Sequence, residues 1–305
     1  MTESPWRDPD WLRTAYEWIE LQLGRLGLVR TGDIEQPHVY VWSTVMRVPT
    51  DQGDVWFKAN MDVLRHEAAV ASLLSADQPD LVAPPLAVDL NTGWMLMSDA
   101  GRRLREVIPE ERSLHRWLDV LPRYAELQIA FSDRVDELLD VGVPDLRMAT
   151  LPAKYERLVT EIDVEQRFRD AVPHVRALCE RLSEFGVPET IQHDDLHDGQ
   201  VFVRDGSELV MDWGDACVSH PFFTLSVTLE GVIAWGLDDE EDSEDLRPYR
   251  DAYLAPFAAR FDGDLAAAVD VALRLGWAAR AVNGHVPGDD ERTRTRLRMF
   301  LDGKP

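Results

Sequence analysis

The side chains best suited to chemistry are crowded into one stretch, residues 191–216, IQHDDLHDGQVFVRDGSELVMDWGDA. Acidic and imidazole groups lie there among Val, Leu, Phe and Met. Because burying an unpaired carboxylate is costly, we expect these groups to face water, a metal ion or a substrate. The side chains concerned are His193, Asp194, Asp195, His197, Asp198, Asp212 and Asp215.

The spacing within this stretch is typical of phosphoryl transfer. His193, Asp195 and Gln200 follow the pattern of the kinase catalytic loop, H-R-D-x-x-x-x-N. After a predicted hairpin comes D-W-G, which begins at Asp212 and has the position of the metal-binding D-F-G. In such a site Asp195 would orient the acceptor hydroxyl and take its proton. The oxygens of Gln200 and Asp212 would bind Mg²⁺, which prefers oxygen ligands.

Two upstream residues extend the pattern. Lys58 ends the sequence V-W-F-K in a predicted strand, as the phosphate-binding lysine does in V-A-I-K. Glu67 lies on the next predicted helix, where it is placed to pair with Lys58 and hold it. Lys58 would then bind the α- and β-phosphates of a nucleotide. Phosphoryl transfer needs positioned phosphates, a divalent metal and a carboxylate near the acceptor, so these parts in this order predict a kinase.

The elements that must position these residues change in character near residue 100. Before it, residues 11–26 have apolar side chains at helical spacing, which predicts an amphipathic helix. Short runs rich in Val and aromatic residues predict strands, and PTDQG predicts a turn that joins two of them into a hairpin. The predicted strands are 38–48, 54–59, 84–90 and 93–100, and a second helix is predicted at 62–74.

After residue 100 the pattern is mainly helical. The exception is residues 200–212, two apolar runs around Asp205-Gly206, which predict a hairpin. We therefore expect an α+β fold with a small strand-rich N-terminal domain, residues 1–98, and a larger, mainly helical C-terminal domain, residues 99–305. The predicted helical segments are 112–139, 153–162, 165–185, 221–235 and 246–280.

Length, charge and cysteine content narrow the class of protein. The chain has 305 residues, which suits two domains. Its net charge of −24 argues against binding to nucleic acid or to anionic membranes, and permits a cationic substrate. No apolar run is long enough to span a membrane, and the polar start lacks the features of a signal peptide. With two cysteines and no CxxC pair, we expect a reduced, cytoplasmic protein.

The motifs HDDLHDGQVFV and VMDWGDA resemble those of the aminoglycoside phosphotransferase and choline kinase family, which are protein-kinase-like small-molecule kinases. The usual signature of that family is H-G-D-L-H-x-G-N, followed by I-D-W-x-D. The resemblance extends to Lys58, to Glu67 and to the hinge-like sequence LMSDAG, residues 96–101. Protein kinases fit less well, because the sequence has no A-P-E segment.

This resemblance implies a bilobal protein-kinase-like fold with the nucleotide between the lobes. The implied cofactors are ATP, with GTP as the alternative, and Mg²⁺, and the implied partner is a small molecule with an acceptor hydroxyl. The backbone from Met97 to Asp99 would lie near the adenine. Asp195 would be the catalytic base, and His193 would support its loop rather than bind a ligand.

The sequence departs from the family pattern at the phosphate and acceptor positions. Gln200 stands where asparagine is usual. Asp194 stands where glycine is usual, with a side chain that could crowd the loop or point toward the acceptor. The glycine-rich phosphate loop is absent from residues 38–48, so Ser43, Thr44 and backbone amides would bind phosphate.

The acceptor pocket of this family is formed by the helical lobe, here segments 113–170 and 221–290. The surplus of acidic residues favours a cationic acceptor, such as an amino sugar, an aminoglycoside or another amine-bearing alcohol. An uncharged sugar or a macrolide is the alternative. The acidic run 238–245 by itself predicts a solvated loop before a helix. Candidate acceptor contacts are Asp194, Glu230, Trp235, Asp238, Asp239 and Glu240.

Two other functions fit parts of the sequence. A metal-dependent phosphohydrolase would use the pairs His193-Asp194 and His197-Asp198 as ligands of a dinuclear site. A catalytically impaired, nucleotide-binding pseudokinase would account for Gln200 and for the missing glycines. A hydrolase would release phosphate without ATP, whereas a kinase would form ADP mainly when an acceptor is present. The oligomeric state has no signal in the sequence.

Overall fold

The computed structural model describes residues 5–240 and 242–303. The chain divides into two units. The first comprises the residues up to Arg102 together with Phe202–Gly214, and the second comprises Arg103–Val201 together with the residues from Asp215 onward. The boundary between residues 98 and 99 that the sequence suggests stays a prediction.

The first unit contains an antiparallel five-stranded sheet. Its strands are β1 (Glu35–Val39), β2 (Ser43–Thr50), β3 (Gly53–Asn60), β4 (Ala87–Asp89) and β5 (Trp94–Ser98). Their spatial order is β1-β2-β3-β5-β4, and the predicted hairpin is confirmed as β2 and β3. The predicted strand 38–48 is in fact parts of β1 and β2, because the Tyr40 N–H donates to the Ser43 carbonyl and closes a turn between them.

The predicted first helix is confirmed as α1 (Pro9–Leu26), which packs on the sheet. Asp8 caps its first turn by accepting two backbone N–H donors, and Gly27 ends it with a φ of 71°, which glycine adopts without strain. Its buried face meets an aromatic core. The residues of this core include Ala15, Ile19, Leu23, Phe57 and Trp94.

A second helix, α2 (Glu67–Asp77), follows the third strand of the chain. The predicted helix 62–74 is present in two pieces, because a 3₁₀ turn at Asp62–Leu64 precedes α2. Side chains alternate along a strand, so Lys58 and Asn60 share one face of β3, while Phe57 lies on the face that packs against α1. Glu67, the first residue of α2, is thereby brought to the face of Lys58.

The predicted hairpin near residue 205 is also confirmed. The remaining strands are β6 (Arg102–Arg103), β7 (Thr190–Gln192), β8 (Val201–Arg204), β9 (Ser207–Val210) and β10 (Cys217–Ser219). Asp205 and Gly206 join β8 to β9 with φ values of 53° and 86°, the left-handed pair that tight hairpin turns require. The Val210 N–H donates to the Leu81 carbonyl at 2.7 Å, and this ties β9 to the first unit. The sequence assigns this hairpin to the C-terminal domain.

The second unit is mainly helical, as the sequence predicts. The segment 221–235 is not an α-helix but a series of short 3₁₀ and π turns. The sequence does not predict the first helix of this unit, Leu104–Glu111, or the last, Asp290–Asp302. It does not predict the buried antiparallel pair β7–β10 either. No helix among the described residues is long and apolar enough to cross a bilayer. The helices are α3 (Leu104–Glu111), α4 (Arg116–Ala130), α5 (Val135–Asp140), α6 (Leu151–Glu161), α7 (Gln166–Asp170), α8 (Val172–Ser183), α9 (Arg247–Ala258), α10 (Leu265–Asn283) and α11 (Asp290–Asp302).

A buried polar network holds β7 and the loop that follows it. Gln128 on α4 is fully buried, and its side-chain amide donates to the Ile191 carbonyl at 3.0 Å. The Tyr253 hydroxyl, from α9, donates to the Gln128 amide oxygen at 2.6 Å. One turn earlier on α4, the Tyr124 hydroxyl accepts from the His193 N–H at 2.9 Å. The position of the loop after β7 is therefore fixed by α4.

Replacing Gln128 by methionine tests this network. Gln128→Met keeps the side-chain volume but removes the buried donor to the Ile191 carbonyl, and it leaves the Tyr253 hydroxyl with the Pro221 carbonyl as its acceptor. We expect the free energy of unfolding, measured by urea denaturation, to fall by about 2–4 kcal/mol. Gln166→Met, on the exposed side chain that binds Asp170, is the matched control and should change it by less than about 0.5 kcal/mol. Equal effects of the two changes would contradict the role of the network.

Candidate active site

Lys58 lies at the centre of a buried ion pair in the first unit. Its side chain is 8% exposed, and its ammonium is 2.8 Å from the Glu67 carboxylate and 2.6 Å from Asp212 Oδ1. Burial opposes the charge on Lys58, but the two carboxylates outweigh it and raise the pKa of the ammonium. Lys58 is therefore a fixed, permanent cation. The structure thus brings together three residues that the sequence singles out from separate elements.

Asn60 is a member of this cluster that the sequence analysis missed. It lies two residues after Lys58 on β3, and its amide donates to the Glu67 carboxylate at 2.5 Å and to the Leu64 carbonyl at 3.3 Å. Burial raises the pKa of Glu67, and Lys58 acts against that shift. Asn60 adds a second hydrogen-bond donor to the buried Glu67 carboxylate, next to Lys58. Strand alternation was the available signal, since i and i+2 residues share a face.

The D-W-G sequence places Asp212 beside Lys58. Trp213 is buried, and its indole N–H donates to the Val210 carbonyl at 3.2 Å, which anchors the turn to the end of β9. Asp212 has a φ of 65°, in the left-handed region. A β carbon on Gly214 would lie 3.3 Å from Glu67 Oε2, so only glycine fits without a shift. The Asp212 carboxylate is 44% exposed, which suits an oxygen ligand for a hard cation.

The strand β5 leads into the segment that the resemblance assigns to adenine. The side chain of Arg204 donates to the Ser98 hydroxyl at 3.1 Å and to the Asp99 carbonyl at 2.8 Å, so the hairpin braces this segment. A small cavity of about 10 Å³, room for no more than one water molecule, lies within the first unit among side chains of β5, α2 and the D-W-G turn. Its lining includes Glu67, Met95, Met97, Val210, Asp212 and Trp213. A very small, largely apolar cavity thus adjoins the charged cluster.

Ser43 and Thr44, which the sequence suggests as phosphate contacts, are both buried. The Ser43 hydroxyl is 3.2 Å from His38 Nε2. The Thr44 hydroxyl donates to the His38 carbonyl at 2.9 Å and accepts from the Gln36 amide at 2.8 Å. These contacts tie β2 to β1. Burial disfavours the predicted contact of these hydroxyls with phosphate, and the contact of phosphate with backbone amides stays a prediction.

The loop after β7 presents the second group of candidate residues, all in the second unit. His193 is fully buried, and its Nδ1 accepts from the Asp195 N–H at 3.3 Å. His193 thereby holds the backbone of the loop, in the supporting position that the resemblance implies. Asp195 is 24% exposed, with Oδ1 2.6 Å from Arg280 Nη2 and Oδ2 3.6 Å from His197 Nε2. One carboxylate oxygen is anchored and the other faces an imidazole.

The imidazole ring of His197 faces Asp195 and is neutral at pH 7. Burial is the main cause that lowers its pKa below 6.5. Its Nδ1 accepts from the Gly199 N–H at 2.9 Å and lies 2.9 Å from a donor nitrogen of Arg105. The ring proton is therefore assigned to Nε2, on the side of Asp195, by the hydrogen bonds that the other nitrogen accepts.

Asp194, the residue at the usual glycine position, turns into the protein. Its φ is 64° and its side chain is 2% exposed. The carboxylate accepts from Arg280 Nη1 at 3.1 Å and from the Asn283 amide at 2.8 Å. Burial raises the pKa of Asp194 to about 6, although Arg280 acts in the opposite direction. This placement favours a role in the loop over the predicted contact with an acceptor.

Arg280 and Asn283 are further residues that sequence analysis missed. Both lie on α10, one turn apart, and the same two side chains also bind Asp215. Arg280 Nη1 donates to Asp215 Oδ2 at 3.0 Å, and the Asn283 amide donates to the Asp215 carbonyl at 2.7 Å. A charged residue in the otherwise apolar face of a long helix was the available signal.

The other predicted site residues lie at varied depths. Gln200 is half-buried, and its N–H donates to the His197 carbonyl at 2.9 Å. Glu230 Oε2 accepts from the Trp277 indole N–H at 2.6 Å. Asp238 and Asp239 are exposed, as the acidic run predicts, although Glu241 within that run lies outside the described residues. Trp235 and Glu240 complete the set, half-buried and exposed respectively. Their roles toward metal or acceptor stay predictions.

The two His-Asp pairs are bound within the protein in a way that does not suit a dinuclear metal site. His193 and His197 each accept a backbone N–H at Nδ1, and Asp194 is paired with Arg280. Among residues 5–240 and 242–303, no group of three or more His, Cys, Asp or Glu side chains is arranged to hold a metal ion. The arrangement favours the other use of the loop, with Asp195 facing a substrate.

The sequence matches the model of the family described as APH, phosphotransferase enzyme family, over residues 32–267. No match was found among curated protein sequences. Solved structures are similar at low identity. An ethanolamine kinase of Plasmodium vivax has a TM-score of 0.65 at 13% identity, over 97% of this chain and 89% of that one. Choline kinase LicA of Streptococcus pneumoniae has a TM-score of 0.60 at 13% identity, over 93% of this chain and 99% of that one.

The GDP and kanamycin complex of APH(2")-IIia is similar to the same degree, with a TM-score of 0.60 at 13% identity, over 94% of this chain and 97% of that one. At such identities the structural neighbours show the fold alone. They confirm the predicted α+β, protein-kinase-like fold, with a strand-rich N-terminal part and a helical C-terminal part.

The raised pKa of Asp194 predicts a pH-dependent stability. A carboxyl group whose pKa rises from 3.8 to about 6 on folding contributes stability that is fully present below 3.8 and is lost as the pH rises through about 6. The loss across this window is about 3 kcal/mol. Asp194→Asn removes the titrating group. The free energy of unfolding of the wild type, minus that of the variant, should therefore fall by this amount between about pH 4 and pH 7. A difference that stays constant with pH would contradict the assignment.

Proposed function

Because the chain belongs to the phosphotransferase enzyme family, we propose that it transfers the γ-phosphoryl group of ATP to a hydroxyl of a small molecule. The family match covers residues 32–267 and confirms both the resemblance and the predicted class, a small-molecule kinase. GTP is the alternative donor, since one structural neighbour was solved with GDP. The observation that carries the proposal is the buried cluster of Lys58, Glu67 and Asp212.

The cluster supports nucleotide binding because it keeps a cation fixed and charged at low solvent exposure. The ammonium of Lys58 would bind the α- and β-phosphates, and Glu67 and Asn60 would hold it in place. The partly exposed carboxylate of Asp212 suits Mg²⁺, with Gln200 as a second candidate ligand. When bound, Mg²⁺ supplies neutralisation of the phosphate charge.

Asp195 supports the acceptor half of the reaction. Its Oδ1 is anchored by Arg280, which leaves Oδ2 as the oxygen that would accept a hydrogen bond from the acceptor hydroxyl. In the transfer step the acceptor oxygen forms a bond to the γ-phosphorus while the bond from that phosphorus to the β–γ bridging oxygen breaks. The hydroxyl proton passes to Asp195, and ADP leaves. A pseudokinase would not need Lys58, Asp195 and Asp212 all to be present.

The acceptor that fits the charge of the chain is a cation with a hydroxyl group. The net charge is −24, and the exposed acids Asp238 and Asp239 follow Trp235 in the part of the chain that the resemblance assigns to the acceptor. Glu230 lies a few residues earlier, with its carboxylate fixed by the Trp277 indole. An aromatic face with nearby carboxylates suits a protonated or quaternary amine.

Asparagine at position 195 should separate catalysis from nucleotide binding. Asp195→Asn keeps the shape of the side chain but cannot take a proton, so we expect acceptor-dependent ADP formation to fall by at least about 10²-fold. The dissociation constant of ATP, measured by calorimetry, should stay within about twofold, because Lys58 and Asp212 are intact.

The matched control is Asp198→Asn in the same loop. Asp198 is 26% exposed, close to the 24% of Asp195, and it pairs with Arg105. This variant should retain most of its turnover. Unchanged turnover in Asp195→Asn would remove Asp195 as the base, and phosphate release from phosphorylated substrates without ATP would favour the hydrolase instead.

A panel of acceptors tests the charge argument. Kanamycin, choline and ethanolamine are the cationic probes, and a macrolide and an uncharged sugar are the neutral ones. We expect acceptor-stimulated ADP formation with at least one cation, weakened by salt because exposed charges are screened. Asp238→Asn combined with Asp239→Asn should raise KM for that acceptor and leave kcat unchanged. Asp245→Asn, in the same acidic run but paired with Arg247, is the control. Stimulation by neutral acceptors alone would contradict a cationic substrate.

A further inference from the structure

Arg280 is a buried arginine on α10 that contacts carboxylates from two separate segments of the chain. We infer that Arg280 is the positioning residue for Asp195, and that Asp194 is present to hold Arg280 in place. This inference rests on the proposed function, in which Asp195 is the base. It adds residues that neither the sequence motifs nor the family match assigns.

The geometry around the guanidinium is specific. Arg280 Nη2 lies 2.6 Å from Asp195 Oδ1, while Nη1 lies 3.1 Å from Asp194 Oδ2 and 3.0 Å from Asp215 Oδ2. The Arg280 side chain is 6% exposed. Each terminal nitrogen thus has a defined carboxylate partner. A planar guanidinium with two partners fixed on one nitrogen has little freedom to rotate, so the direction of the other nitrogen is fixed as well.

Asn283 completes the arrangement from one turn further along α10. Its amide donates to Asp194 Oδ2 at 2.8 Å and to the Asp215 carbonyl at 2.7 Å. Asp194 and Asp215 are therefore held from two positions on the same helix. The helix fixes these two acids, the acids fix the guanidinium, and the guanidinium fixes Asp195.

The consequence for Asp195 is a single usable oxygen. With Oδ1 occupied by Arg280, rotation of the carboxylate would break a short, charge-assisted contact. Oδ2 stays on the side of His197, where the acceptor hydroxyl would be received. A general base must lie within hydrogen-bond reach of the proton that it takes, and small displacements at the reacting atoms are costly in rate.

Asp194 and Arg280 depend on each other energetically. Asp194 has a φ of 64°, a backbone conformation that favours glycine and disfavours a side chain. An aspartate there is explained by the buried partner that it gives to Arg280. Removing Arg280 leaves a buried carboxylate unpaired, which is strongly destabilising. Changing Asp194 to glycine as well should relieve both the unpaired charge and the backbone strain.

The first experiment compares kinetics. Arg280→Met should lower kcat for acceptor phosphorylation by about 10²-fold, with the dissociation constant of ATP changed by less than about twofold. Arg280→Lys keeps the positive charge but lacks the two terminal nitrogens of the guanidinium. Its kcat should lie between those of Arg280→Met and the wild type. The matched control is Arg169→Met, on a partly buried arginine whose guanidinium donates to the carbonyl oxygens of residues 159, 162 and 164. It should lower stability without lowering kcat.

The second experiment is a stability cycle on Asp194→Gly, Arg280→Met and the double variant, which needs no substrate. Arg280→Met alone should lower Tm by about 6–12 °C, and adding Asp194→Gly should recover at least half of that loss. Additive effects on Tm would overturn the dependence of the two residues. A crystal structure of the double variant should show the Asp195 carboxylate turned away from its wild-type direction. An unmoved Asp195 would overturn the positioning role.

These outcomes separate the inference from the proposed function. A wild type that is active, together with an equally active Arg280→Met, overturns the inference and leaves the proposed function standing. A wild type that transfers no phosphoryl group to any acceptor contradicts the proposed function. The stability cycle and the crystal structure still decide whether Arg280 holds Asp194 and Asp195 as inferred. In an Asp195→Asn background, a further loss of turnover on adding Arg280→Met would also count against it.

Discussion

The pairing of buried cations with carboxylates is the constraint on which the candidate residues depend. A charged group out of water is tolerated only when opposite charges and hydrogen bonds replace its hydration. In the first unit Lys58 meets that requirement with Glu67 and Asp212, and in the second unit Arg280 meets it with acids of the loop after β7. Each cation lies on a regular element, whereas Asp194, Asp195 and Asp212 lie in loops that follow β7 and β9. The cations therefore fix loops that have little regular structure of their own.

The same pairing explains two aspartates in the left-handed region of backbone space. Asp194 and Asp212 have φ values of 64° and 65°, a conformation that costs a residue with a β carbon about 1 kcal/mol or more. In both cases the carboxylate binds the buried cation of its own unit, at 3.1 Å from Arg280 and at 2.6 Å from Lys58. The buried cation holds each aspartate in this conformation, and the backbone conformation in turn directs the next residues.

Whether a contact can be predicted from the sequence depends on how far apart its two residues lie along the chain. The sequence predicts a set of site residues in order along the chain, because they belong to or follow short local patterns. Strand and helix periodicity places these patterns on the right kinds of element. The residues are Lys58, Glu67, Asp195 and Asp212. Arg280 shows in the sequence only as a charged residue on an apolar helix face, and its partners could not be predicted because they lie 65 to 86 residues away. The three-residue strands β7 and β10 were missed for a related reason, since a short, fully buried strand has no alternation to detect.

The aspartates that the sequence singles out in residues 191–216 are therefore bound to basic side chains. Asp198 pairs with Arg105, Asp212 with Lys58, and Asp195 with Arg280, each at 2.6 to 2.9 Å. An amine-bearing acceptor would find these carboxylates already bound to basic side chains, and displacing Lys58 or Arg280 from its buried contact would be costly. If the acceptor is a cation, its charge must be met by acids elsewhere in the second unit. The exposed carboxylates that follow Trp235 satisfy this condition. An amine that binds there would displace solvent and not a buried cation.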